Sequence, residues 1–497
     1  MQGVRTRRGC LSCRRRKKGC DFKRPKCGRC QRLNVQCSYE ERNYTFVTET
    51  GSPPDRNSPP KELTTASMHS ASQSSLKATD VNLQVDAEFW RIYLPNEDPL
   101  LDGSIDGVLA APWIPTVRAL AQEDGNVRIA INAIAYAGLG WMKENSSLIQ
   151  HSLRLYAQAL RETNTLLQDP MTVQTDAALA CCRVLSLFEM FQRSQHASTP
   201  GQSQSNDWRS HVEGTCRLVQ LRGYQKHTYG HGRSLYDGVR MTAIIQGLAR
   251  AQPNAFTTLP WDLPGDKTLR DDLFDSMSTV PDLLQRVSNL RAQCSVTDDA
   301  ESKGQLLIVG IGLLNELLEL SQYLQDWEIR TLDICEQARS RHPESRDIAS
   351  MEQQATELQL LDVSSSHGFG FFFLCTQFWA VCVRVHGTAR LLRRQLQVMV
   401  EDLHVVIAVQ PLPTWIDPEP PAHHIANTAF HYFEPAAGLW AAQSAIFPIG
   451  TALFYFVQSG RKDSPAFKKM MGAFSDNKPG AIMRDFLQST IGARAGG

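Results

Sequence analysis

The sequence has almost no net charge, no apolar segment behind Met1 and no histidine before His69. Each absence removes a class of protein. With 52 basic and 51 acidic residues over 497, the formal charge is +1, so the average says nothing about a charged partner. Arg5, Arg7 and Arg8 lead straight into cysteines where a secretory leader would place its apolar core, so no secretion signal is expected. The longest apolar run, residues 369–383, spans 15 residues and is interrupted by Thr376 and Gln377. That is short of the ~20 needed to cross a bilayer, so a buried helix and no membrane association are predicted. These features describe a soluble intracellular protein whose cysteines are thiols or metal ligands rather than disulfides. No phosphate-cradling glycine loop and no nucleophile–base pattern is present, which argues against an enzyme. His423, His424, His431 and Glu434 lack the compact spacing of a metal-binding helix and read as ordinary helix or loop residues.

What is present is uneven. Residues 1–37 carry 13 Lys or Arg against one acid, Asp21, which leaves 39 basic and 50 acidic residues for the remainder. A strongly basic head on an acidic body suggests a polyanion-binding module joined to something else. The same head holds Cys10, Cys13, Cys20, Cys27, Cys30 and Cys37, with gaps of two, six, six, two and six residues, so the second trio repeats the first after 17. A disulfide scaffold needs an oxidising compartment. One zinc held by Cys10, Cys13, Cys27 and Cys30 leaves Cys20 and Cys37 without a role. Two tetrahedral zinc ions use all six, provided two thiolates bridge both metals, and no nearby histidine competes for the task. The pairs Cys10/Cys13 and Cys27/Cys30 each grip an ion through a short turn, and the segment 21–26, with Pro25, folds one half back on the other.

The stretch Cys10-Leu11-Ser12-Cys13-Arg14-Arg15-Arg16-Lys17-Lys18-Gly19-Cys20, followed by Asp21-Phe22-Lys23-Arg24-Pro25-Lys26-Cys27-Gly28-Arg29-Cys30, resembles the fungal binuclear zinc cluster family of transcription factors. The resemblance implies two Zn2+ ions, with Cys10 and Cys27 as the bridging ligands. It also implies binding to double-stranded DNA at a CGG-type triplet, read by Lys17 with help from Arg16. Arg14, Arg15, Lys18 and the arm Arg5, Arg7 and Arg8 are then expected on phosphates, supplying affinity and salt dependence without sequence information. One departure is Gly19, where the family usually has a basic residue.

Residues 1–9 read as a basic arm, 10–37 as the cluster and 38–80 as a disordered linker. The linker is broken by Gly51-Ser52-Pro53-Pro54 and Ser58-Pro59-Pro60 and is too polar to bury a core. It shows no heptad repeat, so the chain is expected to bind as a monomer or to form a homodimer through the body. Residues 81–497 read as a large all-α domain. Leu153, Tyr156, Leu160 and Leu167 mark one helix face; 177–191 is apolar around most of its circumference, with Arg183 and Glu189 as exceptions. Further helices are expected at 305–324, 369–396 and 424–457, and 405–409 is the clearest strand-like stretch. Asp271-Asp272-Leu273-Phe274-Asp275 mixes acids with large apolar groups, as some activation segments do, and reads in preference to that as the acidic first turn of a helix. Asp207 is expected to cap a helix running to Arg222, with Gly223 ending it in the left-handed conformation and Gly214 admitting a neighbouring helix. The pattern Trp208…His211…Gly214…Leu218…Leu221-Arg222-Gly223 is similar to the helical regulatory domain that accompanies the cluster in many fungal regulators. Tyr156-Ala157-Gln158-Ala159-Leu160 and Phe256…Leu259-Pro260-Trp261 resemble other landmarks of it.

The sequence therefore predicts a nuclear, zinc-dependent, sequence-specific transcription factor of RNA polymerase II genes that works with the transcription machinery, its pathway-specific role (secondary metabolism) a guess from family habit. Two rival classes make different predictions. A zinc-dependent helical enzyme would lose turnover on mutation of the body alone, and a thiolate-rich metal store would exchange zinc readily without preferring any DNA sequence.

Overall fold

The computed structural model describes residues 12, 26–33, 35, 37, 81–95, 111, 113–191, 202–253, 256, 261, 264, 267–341, 366–475, 479–481 and 483–484. The chain forms two compact units, residues 1–71 and 72–497. The first contains helix α1 (Gly28–Arg32). The expected linker, 38–80, lies outside the described residues.

The second unit begins with α2 (residues 81–93). It continues through α3 (Trp113–Glu123), α4 (Gly125–Met142), α5 (Ser146–Gln168), α6 (Asp176–Phe191), α7 (Gln202–Arg222) and α8 (Gly230–Arg250). After these come α9 (Leu269–Cys294), α10 (Ala300–Arg341), α11 (Ser366–Leu403), α12 (Glu419–Thr428), α13 (Gly438–Ser444), α14 (Ile446–Gln458) and α15 (Pro465–Ser475). No strand occurs among the described residues, so the body is all-α as read.

Local chemistry starts several of these helices. Asp124 accepts from the backbone N–H of Asn126 and Val127 at 2.7 and 3.2 Å, capping α4. Asn145 does the same for α5. Thr268 and Asp271 form a capping box at α9. That box accounts for the acidic cluster: Asp271 and Asp272 lie in a first turn, while Leu273 and Phe274 are buried in the core.

Several expectations need correction. Val405–Val409 forms neither strand nor helix: Val405, Val406 and Ile407 are exposed, only Val409 packs against the core, and Pro411 and Pro413 just beyond remove ladder donors. The helix expected over 424–457 is interrupted by a 3-10 turn, Ala429–Phe433, then by Pro435 and by Gly438 at φ +78°. On α5 the buried line is Ser152, Ala159 and Thr163; Tyr156 and Leu160 touch the core, but Leu153 and Leu167 are exposed. Helix α7 starts at Gln202, so Asp207 lies within the helix and not at its amino end. Gly214 faces open space and admits no neighbour. Gly223 has a positive φ of 75°, but its ψ of 164° lies outside the left-handed helical basin, in a region that is essentially glycine's alone.

Core helix α6 is buried around its whole circumference, including the two residues read as exceptions, Arg183 and Glu189. The ends of the body meet. Tyr93, in the last turn of α2, donates its hydroxyl to Gln443 Oε1 in α13 at 2.7 Å across 350 residues. At Gly438 an added methyl would stand 2.6 Å from Tyr93 O and 2.4 Å from Pro95 Cδ, so only glycine allows this approach.

Among the described residues three segments, Ala300–Ile334, Phe369–Leu403 and Gly438–Gln458, are long and apolar enough to cross a bilayer, which the run length of 369–383 alone did not reveal. The apolar windows of the second and third are 94% and 72% buried against the rest of the protein, the environment expected of core helices.

Candidate metal centre and nucleic-acid interface

In the first unit Cys27 stands at the N-cap of α1, and its Sγ accepts the backbone N–H of Cys30 at 3.4 Å. The N–H of Cys27 in turn points at Cys37 Sγ, 3.3 Å away. Val35, whose N–H bonds Cys30 O at 3.1 Å, folds the chain back so that Cys37 returns to the helix start. Val35 and Cys37 pack on Cys27 and Cys30, a small cluster that among the described residues holds no large aromatic or leucine side chain. The sulfurs of Cys27, Cys30 and Cys37 lie within 4.8 Å of one another, and the first two are buried.

This arrangement fits a zinc ion. With Zn–S near 2.3 Å, tetrahedral sulfurs stand about 3.8 Å apart, so three corners are already assembled. Backbone N–H groups aimed at sulfur spread the thiolate charge, as supporting hydrogen bonds do around metal ligands. Zinc would supply the folding energy that so small a core lacks, on the order of 10–16 kcal/mol.

Cys10, Cys13 and Cys20, and all the expected DNA contacts (Arg5, Arg7, Arg8, Arg14, Arg15, Arg16, Lys17 and Lys18), lie outside the described residues. The sequence reading missed a second set of cations. Lys26, Arg29 and Arg32 are exposed on and beside α1, next to the cysteine trio. The signal was available in the sequence, since all three fall within the basic head.

In the body, the residues of the Trp208–Gly223 pattern prove to hold helices together. The Tyr156 hydroxyl donates to Glu189, and His211 Nε2 stands 3.1 Å from that hydroxyl and 3.4 Å from Glu189 Oε1. Tyr156 also stacks on Phe188 at 4.1 Å. The cluster thus ties α5, α6 and α7 through one phenol, one carboxylate and one imidazole. Arg222, its side chain 1% exposed, donates to Gln174 O at 3.0 Å, to Thr175 O and to Asp176, gripping the start of α6. Phe256 is buried and Trp261 packs on Tyr224, His227 and Tyr236.

Other reactive groups are occupied structurally. Burial pushes the thiols of Cys181 and Cys182 up to about 12 and that of Cys382 well above its usual range, which keeps them protonated. His424 stacks on Trp379, His423 meets the edge of Phe456, and His431 bonds Glu434 at 2.7 Å. An open cleft of about 310 Å³ is lined by Lys267, Leu269, Asp272, Arg330, Asp333 and Ile334. Its Arg330–Asp272 pair, at 2.8 Å, joins α10 to α9.

Residues 8–44 match the fungal Zn(2)-Cys(6) binuclear cluster domain. The chain therefore carries a zinc-dependent DNA-binding module that takes two zinc ions. The transcriptional regulatory protein UME6 of Saccharomyces cerevisiae is 46% identical over 48 residues, 10% of this chain and 6% of that protein. An uncharacterized protein of Emericella nidulans is 27% identical over 158 residues, 32% of each chain. The aligned stretches thus cover less than a third of either relative. No solved structure matches the chain significantly.

Proposed function

We propose that this chain is a nuclear, sequence-specific transcription factor of RNA polymerase II genes, without enzymatic activity of its own. The observation that carries the reading is the convergence of Cys27, Cys30 and Cys37 on one point inside a segment matching the cluster domain. Cys10, Cys13 and Cys20 complete two tetrahedra, with Cys10 and Cys27 shared between the ions. Once the metals fix the fold, the basic run Arg14 to Lys18 enters the major groove. There Lys17, with Arg16, donates to guanine O6 and N7 of a CGG-type triplet, a contact worth about 1–3 kcal/mol of discrimination when well formed. Arg5, Arg7, Arg8, Arg14, Arg15 and Lys18 neutralise phosphates, joined by Lys26, Arg29 and Arg32. The helical body, residues 81–497, governs recruitment of the transcription machinery, homodimerisation or response to an effector, as a pathway-specific regulator, with secondary metabolism a guess at the pathway.

Selection of bound DNA from a random pool by the zinc-loaded full chain tests this. Paired CGG-type triplets at one fixed spacing mean a dimer built by the body. A single triplet means monomeric binding, which fits a linker without heptads. Absence of any enriched sequence refutes the proposal and returns the cluster to metal handling.

A further inference from the structure

The last turns of α11 show two different flanks. One is core: Leu392 and Leu396 are fully buried and Met399 nearly so. Cys294 Sγ, at the end of α9, stands 3.7 Å from Met399 Sδ, and a methyl added at Gly310 of α10 would collide with Leu396. The other flank carries Leu391, Arg394, Val398 and Asp402, whose spacings of three, four and four residues draw one stripe along a helix. All four are exposed, Leu391 by 50% and Val398 by 54%.

Both charges on this stripe are unused. Arg394 and Asp402 form no ion pair among the described residues, and neither has an opposite charge three or four positions away. Their neighbours differ: Arg390 pairs with Asp417 at 3.1 Å, and Arg393 donates to Gln410 O at 3.1 Å. Arg394 lies four residues before Val398 and Asp402 four after it, so the stripe reads positive, apolar, negative about its midpoint. Each charge stands about 6 Å from that midpoint along the axis.

We infer that this flank of α11 is an interface between two copies of the chain, crossing antiparallel at Val398 with Arg394 of each copy against Asp402 of the other. A pattern whose charges reverse about its centre is complementary to itself turned end for end, which is the requirement of a two-fold interface. A parallel crossing would set arginine on arginine and aspartate on aspartate. In the antiparallel one, Leu391 faces Val405 of the second copy, which is 37% exposed and is tied to the helix end by its N–H bond to Val400 O at 3.3 Å. Three helical turns bury less than the ~800 Å² per partner of a stable complex, so this association is weak in free solution. Two copies seated on neighbouring DNA sites are held at high local concentration, where a weak contact suffices. The inference gives the homodimerisation named above a surface. It rests on that reading only for its consequence at DNA, because association is measured without DNA.

The test is sedimentation equilibrium of the zinc-loaded full chain without DNA, from about 2 to 200 μM. The wild type should rise from the mass of one chain toward that of two. Arg394→Glu and Asp402→Arg each oppose like charges twice and should each weaken association about tenfold or more. An equimolar mixture of these two variants should recover it, since the mixed dimer restores both ion pairs. Both positions are exposed, so circular dichroism should show an unchanged fold. Arg394→Gln, which should weaken association about threefold or more, replaces the reversed forms if they do not fold. Four results would overturn the inference: a wild type that stays monomeric at the highest concentration, reversed variants that associate like the wild type, a mixture no stronger than either variant alone, or an Arg394→Gln form that associates like the wild type. DNA selection remains a separate experiment, so failure here leaves the transcriptional reading standing and the reverse also holds.

Discussion

Replacing Arg222 by methionine should cost the helical body about 2–4 kcal/mol. The arginine closes α7 and holds three acceptors at the start of α6: Gln174 O, Thr175 O and the Asp176 carboxylate. Hydrogen bonds from a charged donor contribute about 1.5–3 kcal/mol each, and neither carbonyl is stranded by the loss, since Lys226 Nζ also reaches Gln174 O and the Leu179 N–H also reaches Thr175 O. Asp176 is 34% exposed, so water takes over part of its loss, and the two backbone carbonyls set the cost. Methionine fills much of the volume, which keeps the cavity contribution small. Arg222→Lys should recover less than half, because one ammonium cannot reach three acceptors arranged for a planar fork. Asp176→Ala alone should cost about 1 kcal/mol. Urea unfolding of the full chain, followed by circular dichroism, reads the difference as a midpoint lowered by about 0.7–1.3 M for a slope near 3 kcal/mol per molar. A loss below about 1 kcal/mol for Arg222→Met, or full recovery by lysine, would show that the grip on α6 is not what this residue does.

Other outcomes follow from the same geometry. Cys30→Ala should abolish stoichiometric zinc and DNA binding while the helical signal stays within error, as checked by metal analysis and far-ultraviolet circular dichroism. Lys17→Ala should keep both zinc ions but relax the selected triplet, whereas Cys10→Ala should lose both ions together; an unchanged preference in Lys17→Ala would remove that residue from base reading. At Gly232 an added methyl would meet Lys226 O at 1.8 Å, a backbone atom that no rotamer change moves away, so Gly232→Ala should unfold the body at markedly lower temperature. Gly214→Ala, on an open helical face, should instead stabilise by about 0.5–1 kcal/mol. Burial lowers the pKa of His227 below its ordinary 6.5, so the folded state prefers the neutral ring. Its contribution is present in full above pH ~6.5 and declines as pH falls toward the folded-state value, and His227→Gln should flatten that slope in pH-dependent melting.

Legibility in the sequence varied with how local the determinant was. The cysteine spacing announced the metal chemistry because ligand pairs close through short turns, and the convergence of Cys27, Cys30 and Cys37 is what such turns produce. The helix around 153–167 is visible as a periodic apolar pattern, and the one at 177–191 as a stretch apolar around most of its circumference. Which face of a helix becomes buried was less visible: Ser152, Ala159 and Thr163 lie inward on α5 because small residues permit close packing there, while Leu153 remains outside. Gly214 looked like a contact point from spacing alone, yet only tertiary packing decides whether a partner is near. The three-way bond of Tyr156, Glu189 and His211 spans 55 residues, and no local pattern could announce it. Lys26, Arg29 and Arg32 are spread among the second cysteine trio and make a weaker local signal than the unbroken run Arg14 to Lys18.

The contact of Tyr93 with Gln443 also bears on how the protein is made. The ribosome delivers α2 some 350 residues before its partner α13. At about 5–20 residues per second, that is roughly 20–70 s in which the Tyr93 hydroxyl lacks its final acceptor, although α3 and α4 arrive far sooner to meet Trp90 through Arg118 and Phe89 at Gly138. The nascent body is therefore an unfinished core for most of its synthesis, in need of chaperone cover. A transcript cut short anywhere before the codon for Gly438 would yield a chain whose opening helix still meets α3 and α4 but is uncovered where Gln443 and Gly438 close on Tyr93, a natural substrate for quality-control proteases.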